Sequence, residues 1–252
     1  MKLLKKLFGK QKKSIECFPE INDVFKTEKE NLDLVFFPLC SINLKKVIPN
    51  RDEWIHFVDV WNNGEVDEAF FHEYRTRDII RFQLENSKYK YLGGEKNFPK
   101  YEFLKNWKKE AADEFENNRL AYLKVIDSAD FQKSDRKLKE DKRYQNEPDY
   151  SFYIDRVITY LVTKERFKKN GKLIALKSYP KEYKVKQRNP ITQIGGKPNW
   201  LQRDQTPIDE NGYPFTFIGE VTGFHYMKNG SGGIFLFLNE KSNEVVQVIQ
   251  FG

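Results

Sequence analysis

The sequence holds only two cysteines and three histidines among its 252 residues. Cys17 and Cys40 do not form a C-x-x-C motif, so we expect two free thiols rather than a disulfide or a metal site. The histidines His56, His72 and His225 lack the H-E-x-x-H spacing of a zinc enzyme. The sequence therefore predicts neither a metal nor another cofactor.

Long apolar runs are also absent, since the longest candidates are short stretches such as LVFFPLC and GIFLFL. A membrane-spanning helix needs about 20 apolar residues. The N-terminus does not resemble a signal peptide, because lysines interrupt its apolar run early and no small-residue cleavage site follows. We therefore predict a cytoplasmic chain without a membrane span.

The net charge of +7 is concentrated at one end of the chain. Residues 1–13, MKLLKKLFGKQKK, contain six lysines and no acid, which leaves +1 for the remainder. This segment is predicted to be a basic amphipathic tail that either docks on its own domain or adsorbs weakly to an anionic membrane. Elsewhere, basic and acidic residues are interleaved, as on a solvated surface, so we predict no nucleic-acid binding.

Catalytic motifs are missing as well. QIGGKP lacks the G-x-x-x-x-G-K-[ST] pattern of a phosphate loop, and NGSGG lacks the first glycine of a G-x-S-x-G nucleophile elbow. Cys40, His56 and Asp59 are of the residue types of a nucleophile, a base and an acid. A chain of this size contains such triples by chance, so we expect no catalysis from them. Asp204 and Asp209, with the neighbouring Glu210, are interpreted as exposed turn carboxylates.

The first part of the chain carries apolar residues at helical spacing. Trp54, Phe57, Val58 and Trp61 recur every three or four residues and predict a helix, and a second helix is predicted from Val66. A third should cover about residues 101–126. Its apolar stripe consists of Leu104, Trp107, Ala111 and Phe115.

The segment after Pro148 repeats apolar residues at helical spacing, although its β-branched content leaves a strand open. Gly171 is a plausible stop for a helix there. Nine of the fourteen glycines then fall in residues 195–252, where the apolar pattern changes toward the alternation of strands. The predicted fold is α+β, with a helical N-terminal portion packed on a C-terminal antiparallel sheet.

Four pieces near the C-terminus carry a family resemblance. IGGKPNWLQ, PFTFIGEV, GSGGIFLFLN and VVQVIQF, in this order, resemble the YwqG-like family of bacterial proteins over about residues 191–252. Programmed cell death protein two is a more distant similarity. The resemblance implies mostly architecture, with residues 149–252 as the YwqG-like portion after a mainly helical portion over 14–148. The two portions are either separate or parts of one continuous domain.

The resemblance also implies a function. Some relatives lie near secreted-toxin genes, which implies an immunity protein that binds a toxin-like protein partner. Relatives often carry a cysteine pair in the turn before the second piece. The corresponding turn here, RDQTPIDENGY, has none, so a metal-binding role for that turn is not implied.

The residues themselves predict mainly a structural role for these pieces. Gly195 and Gly196 permit backbone angles that other residues avoid, and Pro198 fixes the chain direction after them. Gly232 and Gly233 are interpreted in the same way, as parts of the turn before a strand.

Two functional hypotheses follow. The first is a non-enzymatic protein-binding protein, as the lack of a catalytic constellation suggests. The second is a small-molecule-binding or enzymatic pocket lined by Trp200, Gln202, Glu220 and His225.

Overall fold

The computed structural model describes residues 14–26, 31–61, 71, 73–94, 97–124, 140–174 and 187–251. The predicted basic tail over 1–13, His72 and the start of the helix predicted from Val66 lie outside these ranges. The described residues form helices together with antiparallel sheets, which confirms the α+β class. None of their helices is long and apolar enough to cross a membrane.

The strands and helices are as follows in chain order. The strands are β1 (Ile15–Cys17), β2 (Phe36–Asn43), β3 (Trp54–Val60), β4 (Ile79–Glu85), β5 (Lys88–Lys90), β6 (Leu173–Ile174), β7 (Gln187–Arg188), β8 (Gln193–Ile194), β9 (Thr216–Val221), β10 (Gly233–Leu238) and β11 (Glu244–Gln250). The helices are α1 (Ile21–Val24), α2 (Tyr101–Asn117), α3 (Arg119–Tyr122), α4 (Lys142–Asn146) and α5 (Pro148–Asn170).

Two larger antiparallel sheets organise the molecule. One has three strands in the order β1-β2-β3, and the other has six in the order β5-β4-β11-β10-β9-β8. Strands β6 and β7 form a separate pair. The main apolar core draws residues from both larger sheets and from α2 and α5. The strands predicted within residues 195–252 are confirmed as β9, β10 and β11.

The predicted helix around Trp54 is wrong, because this segment is strand β3. Ile55, Phe57, Val58 and Val60 are all buried, so both faces of the strand are covered. A strand that is buried on both faces carries a nearly continuous apolar run, and such a run contains helical spacings by chance. The β-branched residues in it favour the strand.

In its described residues, the N-terminal portion over 14–148 is likewise not mainly helical, since it contains β1 to β5 as well as α2. Residues 79–85, predicted to continue a helix, form β4 with strictly alternating burial. Strand β4 pairs with β11 and β5 pairs with β4. The sheet predicted for the C-terminal portion therefore includes strands from the N-terminal one.

The other two predicted helices are present, although the one predicted over residues 101–126 ends at Asn117 and is followed by the short α3, with residues 125 and 126 outside the described ranges. Helix α2 buries its predicted stripe of Leu104, Trp107, Ala111 and Phe115. The segment after Glu147 is helix α5, with Pro148 in its first turn. The helix ends at Gly171, whose φ of 64° lies in the left-handed region that glycine adopts without strain.

Side chains of the six-stranded sheet make hydrogen bonds to the open backbone edge of β3. Gln247 of β11 is fully buried, accepts from the backbone N–H of Val58 at 2.9 Å and donates to the Val58 carbonyl at 3.0 Å. Tyr89 of β5 does the same for His56, accepting at 2.9 Å and donating at 2.6 Å. Because an edge strand leaves polar backbone groups open, these contacts join the two sheets without a shared ladder.

Helix α5 is fixed to the sheets by a buried ion pair. A guanidinium nitrogen of Arg156 lies 2.5 Å from a carboxylate oxygen of Asp59, and both side chains are almost fully buried. Asp59 also accepts from the backbone N–H and the hydroxyl of Ser231, at 2.8 and 2.6 Å. This carboxylate therefore connects β3, α5 and the segment before β10, as a buried charge requires partners.

Candidate functional site

The outer face of the six-stranded sheet carries a second, smaller apolar cluster. Its buried members are Phe215, Phe217, Phe235, Phe237, Val246 and Val248. Trp200 covers them, with its ring centroid 4.7 Å from that of Phe235 and 5.8 Å from that of Phe237. Trp200 thus forms a lid over the aromatic strands.

Glu220 accepts hydrogen bonds from the residue that precedes Trp200. It lies on β9, is 7% exposed, and accepts from the backbone N–H of Asn199 at 3.1 Å and from its side-chain amide at 3.2 Å. The Asn199 amide also donates to Gln193 at 2.6 Å. Both carboxylate oxygens of Glu220 are therefore used in holding the chain just before Trp200.

Gln250, at the end of β11, holds the chain just after Trp200. Its side-chain oxygen accepts from the backbone N–H groups of Leu201 and Gln202, at 2.9 and 3.0 Å. Its amide nitrogen donates to the Arg203 carbonyl at 2.7 Å and to the Gln205 side chain at 2.8 Å. The Gln250 side chain is fully buried although its partners lie in a largely exposed segment, and its four bonds fix the loop conformation.

The glycine positions fit this arrangement. Gly195 and Gly196 have φ values of 62° and 80°, in the left-handed region that the sequence predicted for them. A β-carbon at Gly233 would lie 2.9 Å from the Phe235 ring and 3.1 Å from the Leu201 side chain. Glycine there lets the loop approach β10 closely. Pro198 is half-buried between the turn and Trp200, and Gly232 is buried before β10.

His225, the fourth predicted pocket residue, has different neighbours. It ends the 3₁₀ turn Gly223–His225, and its Nδ1 atom is buried without a hydrogen-bond partner in the described part of the chain. Burial, followed by the positive charge of Arg188, lowers the pKa of His225 to about 4, against a raising contribution from the Asn189 backbone. The Nε atom of Arg188 is also buried without a hydrogen bond among the described residues.

The other candidate residues have separate partners. His56 lies between the hydroxyl of Ser41, 2.7 Å from Nδ1, and the Ser87 carbonyl, 2.8 Å from Nε2. Since a carbonyl only accepts, Nε2 carries the proton and Ser41 donates to Nδ1. Cys40 Sγ instead contacts the Pro190 carbonyl at 3.9 Å. Cys40 and His56 therefore do not combine with the Arg156-paired Asp59 as a triad.

The turn carboxylates serve local structure, as predicted. Asp204 accepts from the backbone N–H of Thr206 at 2.8 Å. Asp209 accepts from the backbone N–H groups of Asn211 and Tyr213, both at 2.9 Å. Within the described ranges, no group of three or more histidine, cysteine, aspartate or glutamate side chains is placed to hold a metal ion.

The loop over residues 199–215, here called the Trp200 loop, also carries exposed apolar side chains. Leu201 is 50% exposed, Ile208 64% and Tyr213 63%. Tyr213 stacks under the ammonium of Lys241, 5.3 Å from its ring centroid. The loop thus buries one set of side chains against the sheet and presents another set to solvent.

Sequence reasoning missed the two residues that hold the loop most directly, Asn199 and Gln250. A signal for Gln250 was present in EVVQVIQF, where glutamines interrupt an apolar strand. A polar residue in such a run is buried only if its hydrogen bonds are satisfied. Asn199 offered no comparable signal, because its role depends on the position of Glu220.

No protein-family model matches the chain, and no curated protein or solved structure matches it either. The YwqG-like resemblance of residues 191–252 therefore stays a prediction.

Proposed function

We propose that the chain is a non-enzymatic protein that binds another protein through the Trp200 loop, as an immunity protein binds the toxin it neutralises. The observation that carries the proposal is the pairing of a fixed loop backbone with exposed apolar side chains. Gln250 and Glu220 hold the loop from both sides of Trp200. A preorganised loop loses little conformational entropy when a partner binds, which favours affinity.

The chemistry of the exposed residues indicates the kind of partner. Leu201, Ile208 and Tyr213 together offer two aliphatic side chains and one amphipathic aromatic. Such residues contribute binding energy when a complementary apolar surface removes them from water. The partner is therefore a folded protein with an apolar contact surface, and the toxin identity comes from the resemblance of residues 191–252.

Copurification with a matched pair of variants tests the proposal. The tagged wild-type chain should retain one stoichiometric protein from a lysate of its own organism. Replacing Leu201, Ile208 and Tyr213 with serine should abolish that retention. As a control, serine is introduced at three exposed apolar positions on the helices, which are Phe103, Leu120 and Phe152 at 46%, 75% and 52% exposure.

Retention that survives the loop substitutions but is lost with the helix substitutions would refute the assignment of the loop. Co-expression with a candidate toxin should protect cells only when the loop is intact. Protection by no version of the chain would refute the immunity role.

A second candidate function rests on His225. Its Nδ1 atom and the Nε atom of Arg188 are buried polar atoms without hydrogen bonds in the described residues, and the Arg188 charge contributes to the lowered pKa of His225. Unsatisfied buried groups cost free energy that a small polar ligand would recover. This ligand would bind between His225 and the β7 strand, on groups other than those that Trp200 and Glu220 already use.

Native mass spectrometry of the purified chain tests this second candidate. A retained metabolite should be lost from the His225→Phe and Arg188→Met variants and kept by Glu220→Gln. If the wild-type chain carries no small molecule and no metabolite raises its unfolding temperature, the second candidate is wrong.

A further inference from the structure

The two cysteines lie directly opposite each other on neighbouring strands. Strand β1 pairs antiparallel with β2, and the register places Cys17 against Cys40. Residues that face each other in an antiparallel pair project their side chains from the same face of the sheet. The two thiols, the only ones in the sequence, are therefore neighbours in the sheet. The start of β2 at Phe36 lies 19 residues after the end of β1 at Cys17.

The hydrogen bonds on either side show which of the two kinds of antiparallel residue pair the cysteines form. The Phe18 N–H donates to the Leu39 carbonyl at 2.8 Å, and the Asn43 N–H donates to the Ser14 carbonyl at 3.0 Å. Hydrogen-bonded and non-hydrogen-bonded pairs alternate along an antiparallel ladder. Cys17 and Cys40 adjoin the hydrogen-bonded pair at Phe18, so they form a non-hydrogen-bonded pair.

This type of pair suits a disulfide. Directly opposed residues of a non-hydrogen-bonded pair have Cα atoms about 4.5 Å apart. A disulfide requires a Cα separation of about 4.4–6.8 Å. The ladder therefore supplies the required spacing without moving either strand.

The environments of the two thiols differ. Cys40 is completely buried, its Sγ contacts the Pro190 carbonyl, and burial raises the pKa of its thiol. Cys17 is only partly buried and packs against the edge of the core. Because the thiolate is the reactive form, Cys17 is the more accessible nucleophile and Cys40 the resolving thiol.

We propose that Cys17 and Cys40 are a redox-active pair that a small-molecule disulfide converts into a cross-strand disulfide between β1 and β2. The Cys17 thiolate attacks one sulfur of the reagent, forms a mixed disulfide and releases the first thiol. Cys40 Sγ then attacks Cys17 Sγ and forms the protein disulfide, while its proton passes to the sulfur of the second thiol as that thiol leaves. The two cysteines are oxidised and the reagent disulfide is reduced to two thiols.

The conversion also changes a contact inside the core. In the reduced chain, the thiol of Cys40 and the hydroxyl of Tyr226 both approach the Pro190 carbonyl, the hydroxyl at 2.6 Å. A disulfide removes the S–H donor and leaves Tyr226 as the donor to that carbonyl. Oxidation therefore acts on the segment around Pro190 as well as on β1.

Thiol counting after equilibration with oxidised glutathione tests the proposal. The full chain is incubated at mildly alkaline pH until its composition is constant, quenched with acid, alkylated under denaturing conditions and weighed by mass spectrometry. The expected product is a monomer without free thiols, lighter than the reduced chain by two hydrogen atoms. A chain that keeps the Cys40 thiol and gains one glutathione on Cys17, or that forms disulfide-linked dimers, overturns the proposal.

A matched variant moves one thiol by a single residue. The double substitution Cys17→Ser and Glu16→Cys keeps two thiols but places the moved thiol on the opposite face of β1, at a position that is exposed in the wild type. It should give a glutathione adduct instead of the internal disulfide. An internal disulfide that forms equally well in this variant would show that unfolded chains react, which also overturns the proposal.

Discussion

Replacing Gln250 with leucine should release the Trp200 loop while the rest of the protein stays folded. The Gln250 side chain makes four hydrogen bonds, all to residues 201–205. A net contribution of about 0.5 kcal/mol for each bond, the low end of the usual range, gives a loss of about 2 kcal/mol. Because about 1.4 kcal/mol corresponds to tenfold in an equilibrium constant, local opening should become about thirtyfold more frequent.

Amide hydrogen exchange measures this opening. The N–H groups of Leu201 and Gln202 bond to Gln250, so peptides containing them should exchange about thirtyfold faster in the variant. Peptides from α2, which packs on α5, should keep their wild-type rates.

Gln247→Leu provides the matched control, because Gln247 lies on the same strand but bonds to Val58 at the opposite sheet face. It should destabilise the whole protein by about 1–3 kcal/mol for each orphaned backbone group. It should not accelerate loop exchange selectively. Unchanged exchange at Leu201 in the Gln250 variant would refute the reasoning that these bonds hold the loop.

Two further predictions concern buried titratable side chains. Burial lowers the pKa of His56 to about 4 from 6.5, so the unfolded chain binds more protons between these values. Stability should therefore fall as the pH drops from 6.5 to 4, by at most about 3 kcal/mol from His56, and the similarly lowered pKa of His225 adds a slope over the same range. His56→Gln should therefore make the slope shallower in urea unfolding measured across the range, and an unchanged slope in the variant would exclude a contribution from His56. Arg156→Ala should cost about 3–5 kcal/mol because it leaves Asp59 buried without its cation, and an unfolding midpoint close to wild type would contradict that role.

The sequence predicted the parts of the fold whose patterns are local. Helix α2 shows a one-sided apolar stripe, and α5 begins at a proline and ends at a glycine. Strands β9 to β11 are separated by turns rich in glycine and asparagine. Each signal depends on a few neighbouring residues, so no knowledge of the tertiary structure was needed.

Strand β3 could not be predicted in the same way. Its neighbours cover both faces, so DEWIHFVDVW lacks the alternation that marks a half-buried strand. Only the pairing with β2, and the side chains of Gln247 and Tyr89 on its open edge, make it a strand. Those contacts join residues far apart in the chain.

The candidate site was predicted in part. Trp200, Gln202 and Glu220 were expected to lie together, and the structure places all three at the Trp200 loop, with Gln202 donating to the Phe251 carbonyl at 2.7 Å. His225 was expected to line the same pocket, yet its described neighbours are Arg188 and Asn189. The sequence positions of two residues do not reveal at which end of a strand, or from which face of its sheet, each side chain projects.

The central claim is that the Trp200 loop binds a protein partner, and a binding titration with the purified partner tests it most directly. The wild-type chain and the Phe103, Leu120 and Phe152 serine variant should bind with equal affinity. The Leu201, Ile208 and Tyr213 serine variant should bind at least about tenfold more weakly, since a binding hot spot contributes about 2 kcal/mol or more and about 1.4 kcal/mol is tenfold in affinity. Equal affinity of all three proteins for the partner would contradict the account.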